Sequence, residues 1–400
     1  MKPSNQFICS KLFNDLVVKF PNECIKRCCK SEDVNHIDIK EITTDYFLSN
    51  EQLLKDQNSM LVENKLPAPT CNTCIHSEPY SLFRSWNRFP RVSKKQKDKL
   101  YGGDNLISFE FVLSSACDLK CVYCSPKDST AWAKERGVEN VQASKEWKDH
   151  TKKTILEYFE QREWDKSQIN LFKFSGGEPT YNLEMIEFIE DIMSKVPNDV
   201  RKFVMINTNL NTKKIILERF LTYVQANPNI KFGVAGSLDS LGEKCEAIRY
   251  GVNWNRAIDN IKRYFDFDNV IVYICPTVNL MSVPDMFEFV KFFDKLFKSY
   301  NKPLRFNENV VAEPWLSPNS MLPEHAKYLG RAIKYSHANG YTNFGHHLRN
   351  IQKLIGSEYT DDTKAQVKEH LEYLEEKRPN TPWRKLFPHI EDIIEVDKTI

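Results

Sequence analysis

The sequence lacks any uninterrupted apolar run approaching the roughly 20 residues that cross a bilayer, so no transmembrane helix is predicted. Its opening, MKPSNQFICSKLFNDL, has no apolar centre of the secretory type. These absences predict a cytoplasmic protein with no membrane partner. A large charge of one sign is also missing. With a net charge of +2, the chain carries no general electrostatic footprint for nucleic acid. The basic run KKQKDK at 94–99 is local and reads as a solvated linker. Internal repeats and low-complexity tracts are absent as well.

What is present is ordinary in bulk and uneven in detail. A chain of 400 residues, 41% hydrophobic and 28% charged, has ample length for a buried core and predicts about two to three domains. Nine of its 11 cysteines precede residue 125: Cys9, Cys24, Cys28, Cys29, Cys71, Cys74, Cys117, Cys121 and Cys124. In a reducing compartment an odd total does not read as a disulfide framework, and metal or redox chemistry is the leading explanation. Cys245 and Cys275 stand alone and read as small buried hydrophobes.

From about residue 104 the chain alternates β-like runs with amphipathic helical segments. LISFEFVL, INLFKFSGGEP, KFVMINTNL, NIKFGVAGSLDS, NVIVYICPTVN and LRFNENVV read as strands. Segments such as HTKKTILEYFEQREW, LEMIEFIEDIMSKV and NRAIDNIKRYF repeat apolar residues at three and four and read as helices. Six such units predict an α/β fold with a parallel sheet, as a partial barrel or an open doubly wound sheet. Polar residues at the strand ends then gather at one edge. Residues 1–100 read as an irregular cysteine-rich domain with one helix around SNEQLLKDQNSMLVEN, capped by Ser49 with Gln52 three residues on. The barrel follows over 101–316 and a helical C-terminal region over 317–400.

The stretch SSACDLKCVYCSPKDSTAW spaces Cys117, Cys121 and Cys124 three residues and then two apart. Three soft thiolates suit an iron–sulfur cluster, zinc or Cu(I). A four-iron cluster on three cysteines keeps one iron open for a ligand. An incomplete zinc site is the alternative that spacing alone leaves standing.

This triplet resembles the Cys-x3-Cys-x2-Cys signature of the radical S-adenosylmethionine (SAM) enzymes, with Tyr123 as the aromatic residue before the last cysteine. Further motifs similar to that family follow in order at successive strand ends. They are Gly176, Gly177, Glu178 and Pro179; Thr208 and Asn209; Ser237 and Asp239; Arg249; and, more loosely, Thr277 to Asn279. Leu210 and Ser240 depart from the family pattern, which has glycine at each place. The resemblance implies a partial (β/α)6 barrel, a 4Fe–4S cluster on the triplet, and SAM bound by Tyr123, Gly176, Gly177, Glu178, Asn209, Ser237, Asp239 and Arg249. It implies that Glu178 meets the SAM amino group and Arg249 its carboxylate. Reductive cleavage of SAM to a 5′-deoxyadenosyl radical, hydrogen abstraction from a substrate, and an external electron donor of the flavodoxin or ferredoxin type also follow from it.

The N-terminal cysteines offer a second set of four thiolates: Cys9, Cys28 or its neighbour Cys29, Cys71 and Cys74. Such a set suits tetrahedral zinc or a closed cluster, and spacing does not choose between them. Segments around CCKSE, CNTCIHSE and VAEPWLSPNSMLP are similar to members with a twitch-type auxiliary domain, and that likeness implies an auxiliary Fe–S cluster. Ser129, Thr130, Trp132 and Glu135 either face a substrate or cap and pack a helix. His346 and His347 are adjacent, point apart on a helix, and read as surface or packing residues. The substrate class stays open between a peptide or protein side chain and a small molecule. A zinc-binding, non-catalytic nucleic-acid-binding or scaffold protein is the rival reading.

Overall fold

The computed structural model describes residues 9–28, 37–63, 65, 67, 70–71, 104–307, 309–311 and 313–395. The chain divides into two compact units, one of Met1–Ala116 with Glu139–Ile206, the other of Cys117–Val138 with Asn207–Ile400.

In the first unit β1 (Asp15–Lys19) pairs antiparallel with β2 (Cys24–Lys26) and parallel with β3 (Ser108–Val112). β3 pairs parallel with β4 (Ile169–Ser175), and β4 with residues 201–206 of β5 (Arg201–Thr208). Register places Phe109 beside Phe172 and Phe111 beside Phe174, and each pair has its rings 5.4 Å apart. Helix Lys145–Gln161 starts at Ser144, whose hydroxyl accepts from the Trp147 N–H, and buries Ile155, Tyr158 and Phe159. Phe159 meets Phe109 edge-on at 4.8 Å, an arrangement that adds to simple area burial.

Two details of this unit differ from the sequence expectation. Residues 15–26 are not irregular, since they form β1 and β2 and extend the sheet. Asp15 to Val18 are all buried, so the strand shows no period-two alternation by which to recognise it. The helix Glu51–Leu61 is capped by Asn50, whose side chain accepts from the Leu53 N–H at 2.9 Å. Ser49 is the last residue of the preceding turn Tyr46–Ser49 and is not the cap.

The second unit holds β6 (Lys231–Gly236) parallel to β7 (Val270–Ile274), and a short parallel pair, β8 (Thr277–Val278) with β9 (Asn309–Val310). Pro276 interrupts the expected single strand between β7 and β8, because it has no N–H for a ladder. Trp254–Phe265 is sharply amphipathic. It is capped by Asn253 and buries Ala257, Ile258, Ile261, Tyr264 and Phe265. The C-terminal region is helical as expected, with helices Leu329–Ala338, Thr342–Leu354, Asp361–Lys377 and His389–Glu395. The class is α/β with mostly parallel strands. No described helix is long and apolar enough to cross a membrane.

Candidate cofactor site

The triplet loop belongs to the second unit and is held by backbone pairing. Lys120 N–H donates to the Tyr250 carbonyl and Val122 N–H to the Ile248 carbonyl, each at 2.8 Å. Cys124 N–H closes a turn onto the Cys121 carbonyl at 2.9 Å. The segment after the loop secures it from behind. Ser129, fully buried, donates to the Leu119 carbonyl at 2.8 Å and caps the helix Thr130–Arg136. Thr130 Oγ1 accepts from Cys117 N–H and donates to its carbonyl, both at 3.2 Å. The buried Trp132 donates its indole N–H to the Cys121 carbonyl at 2.7 Å. The STAW residues therefore support the loop from the protein side, with Trp132 in the core.

Beside the loop lies a buried polar network. Asp239, at 0% exposure, accepts hydrogen bonds from the Tyr123 hydroxyl at 2.6 Å, the Thr277 N–H at 2.8 Å and Arg249 Nη2 at 3.1 Å, and forms an ion pair with Arg249 whose Nε lies 2.9 Å away. Arg249 Nη1 points at Cys121 Sγ, 3.8 Å away. Burial disfavours the Arg249 charge, but the Asp239 carboxylate in contact more than offsets this and holds it cationic. Burial and the hydrogen bond to Asp239 push the Tyr123 phenol up. The Arg249 fork is thus directed at Asp239 and Cys121.

Asp118, inside the triplet, anchors the next strand end. Its carboxylate accepts from Asn209 Nδ2 at 3.0 Å and Asn211 Nδ2 at 2.8 Å. Gly251, at φ +107°, passes so close that a Cβ would lie 3.1 Å from the Asp118 carbonyl. Ser237 is half-buried just past β6, its N–H donating to the Thr208 carbonyl at 2.8 Å. Sequence reasoning missed Asp118 and Asn211. The signal available was a carboxylate placed between two thiols.

In the first unit, Gly176 and Gly177 take φ +84° and +41° after β4. A Cβ on Gly177 would come within 2.5 Å of the Ala116 carbonyl, and one on Gly176 would collide with Val112. Both glycines are needed for the chain to pass against residues 112–116, immediately before Cys117. Glu178 is buried, donates its N–H to the Ala116 carbonyl at 2.8 Å, and accepts from the Thr180 N–H at 2.9 Å.

Cys117, Cys121 and Cys124 are the three soft donors that the loop carries. Burial pushes the Cys121 thiol up and Arg249 opposes it, while Cys124 is raised by burial and then by its neighbours Cys121, Asp128 and Cys117. Three mutually repelling thiols are readily ionised together only around a cation. Among the described residues no three His, Cys, Asp or Glu side chains stand where one metal ion could be held. Of the N-terminal set, Cys9 and Cys71 pack on one apolar cluster of Leu12, Phe13, Leu53, Met60 and Leu61. Cys28 is half-buried, and Cys24, at 0% exposure, lies within β2. Cys29 and Cys74 lie outside the described residues. His346 is exposed and His347 half-buried on the helix Thr342–Leu354, where His347 stacks on Phe344.

No curated protein matches this chain. Solved structures similar to it include "Native anSMEcpe with bound AdoMet", 18% identical with a TM-score of 0.41 over 60% of this chain and 62% of that one. "Native anSMEcpe with bound AdoMet and Kp18Cys peptide" is 19% identical, with a TM-score of 0.40 over 58% and 61%. Streptococcus suis SuiB bound to S-adenosylmethionine is 14% identical, with a TM-score of 0.36 over 78% and 63%. The chain thus covers less than two thirds of the length of each, and the likeness is too loose to carry an argument. Residues 111–290, which include the triplet loop, the paired glycines, Asp239 and Arg249, match the family model described as Radical SAM superfamily.

Proposed function

We propose that the chain is a radical SAM enzyme that holds a four-iron cluster on Cys117, Cys121 and Cys124 and binds SAM beside it. The observation that carries this reading is the triplet loop backed by the Asp239–Arg249 pair, within the segment that matches the family model. When bound, the cluster and SAM supply reductive cleavage to methionine and a 5′-deoxyadenosyl radical that takes a hydrogen atom from substrate. The residues fit such a group, since the donors are soft thiols and a buried guanidinium faces one of them. Arg249 stabilises the Cys121 thiolate, Asp239 fixes Arg249, and Tyr123 ties the loop to Asp239. Asp118 holds Asn209 at the next strand end. Glu178, Ser237 and the backbone at Gly176 and Gly177 are the further SAM contacts in this reading.

The proposal includes a second, auxiliary iron–sulfur centre on Cys9, Cys28 or Cys29, Cys71 and Cys74, which the shared packing of Cys9 and Cys71 supports. The substrate is a peptide or protein side chain, or a small molecule that is oxidised. Electrons come from a flavodoxin- or ferredoxin-type donor. Anaerobically purified protein is expected to bind iron and to form 5′-deoxyadenosine from SAM with dithionite. Replacing Cys117, Cys121 and Cys124 by Ala should abolish that product, while Cys71→Ala should lower iron and leave basal cleavage. A colourless, zinc-loaded wild type would sink the reading in favour of a structural metal protein.

A further inference from the structure

The helix Asp361–Lys377 and its C-cap residue Arg378 lie in the same unit as the triplet loop and reach its back. Arg378 has a side-chain exposure of 0%. Its guanidinium carbon sits 4.9 Å from the Trp132 ring centroid and 4.6 Å from that of Tyr250. Both residues grip the loop: Trp132 donates to the Cys121 carbonyl, and the Tyr250 carbonyl accepts from Lys120. Arg378 Nη2 donates to Glu135 Oε1 at 3.1 Å, while Nε and Nη1 have no hydrogen-bond partner among the described residues. Tyr373, one turn earlier, stacks on Trp132 at 6.1 Å and 17° and donates to Glu135 at 3.3 Å.

The charges here do not cancel. Among the described residues Glu135 is the one carboxylate paired with both Arg378 and Lys120, so this small cluster carries a surplus positive charge. Arg249, on the other side of Cys121, is neutralised by Asp239. A fully buried guanidinium with two nitrogens left without hydrogen-bond partners among the described residues is costly in isolation. It persists where something anionic nearby benefits, and the anionic group the loop would carry is its thiolates.

We infer that Arg378 is a positioning residue of the triplet site: it clamps the loop through Trp132 and Tyr250 and, with Lys120, contributes to a surplus positive charge at the back of the loop that favours the reduced, more negative state of a bound cluster. The C-terminal helix is then part of the cofactor site. This rests on the proposed radical SAM reading.

The test uses anaerobically reconstituted full-length protein. It measures iron per chain and the midpoint potential, by dithionite titration, of the paramagnetic signal that changes when SAM is added. Arg378→Met should keep its iron and move to lower potential, by about tenfold in the one-electron reduction equilibrium, or about 59 mV. Arg378→Lys should stay near wild type, and Glu135→Gln should move to higher potential, because it removes the opposing charge. A merely structural role does not give opposite signs, so potentials that are unchanged or shift together overturn the inference. If Arg378→Met fails to fold, Glu135→Gln alone still decides by the sign of its shift. An iron-free wild type overturns the radical SAM reading and this inference with it. An iron-loaded wild type with unmoved variants overturns the inference alone.

Discussion

The Leu210 side chain occupies the space that any side chain on Gly236 would need: a Cβ there would lie 2.5 Å from Leu210 Cδ1. Leu210 is fully buried and holds φ +63°, a left-handed backbone more readily taken by glycine. The radical SAM pattern that the sequence resembles has glycine at the place of Leu210. Here the turn keeps its glycine-like conformation, and the added side chain is accommodated by the bare backbone of β6.

Gly236→Ala is therefore expected to destabilise by about 1–3 kcal/mol through overpacking. The cost should shrink in a Leu210→Gly background, which also relieves the left-handed strain. A double-mutant cycle by urea unfolding measures the coupling. Additive effects would mean that the two residues do not share the space.

Asp239 and Arg249 make the second prediction. Asp239→Ala leaves a buried guanidinium without its carboxylate and the Tyr123 hydroxyl without its acceptor, for an expected loss of about 3–5 kcal/mol. Asp239→Ala with Arg249→Met should be less damaged, since no uncompensated charge stays buried. Guanidinium unfolding curves check the order of stability, and a double variant less stable than Asp239→Ala contradicts it.

Much of this fold was legible because its strands and helices carry clear periods. The strands β3 to β7 and the long helices overlap the segments that their periods picked out, with ends displaced by up to five residues. β1 was hidden because Leu16, Val17 and Val18 are buried alike, leaving a run too short to separate from coil. At the site, the triplet was legible from spacing. The partners were not, since which carboxylate meets Arg249, or that Arg378 comes back to Trp132, depends on contacts across 10 and 246 positions of chain that no local pattern encodes. Trp132 and Ser129 also showed nothing locally to say whether they faced substrate or core.

Trp132→Phe tests that supporting role. It keeps the ring but leaves the Cys121 carbonyl without the indole donor in a buried setting, at an expected cost of about 1–3 kcal/mol. Thermal unfolding of the reconstituted protein should show the loss together with a lower iron content. Retention of full stability and iron would remove Trp132 from the support of the loop.

Two histidines away from the triplet set an acid limit. Burial holds His347 and His389 down to about 4, and the His389 ring donates to the Leu280 carbonyl at 2.9 Å. Their unfolded value is about 6.5, so between pH 6.5 and 4 the unfolded chain binds more protons. Stability is thus full above about pH 6.5 and falls as pH drops towards 4, by roughly 1–2 kcal/mol per histidine between pH 7 and 5. Asp15 acts in the opposite sense, because burial lifts its carboxyl to about 6 and the folded form takes up the proton first. The variants separate these effects. His389→Gln and His347→Leu should each flatten the fall in unfolding free energy between pH 7 and 5, whereas Asp15→Asn should steepen it. Parallel urea titrations at the two pH values measure the slopes, and a histidine variant with the wild-type slope would show that its imidazole is not held neutral in the fold.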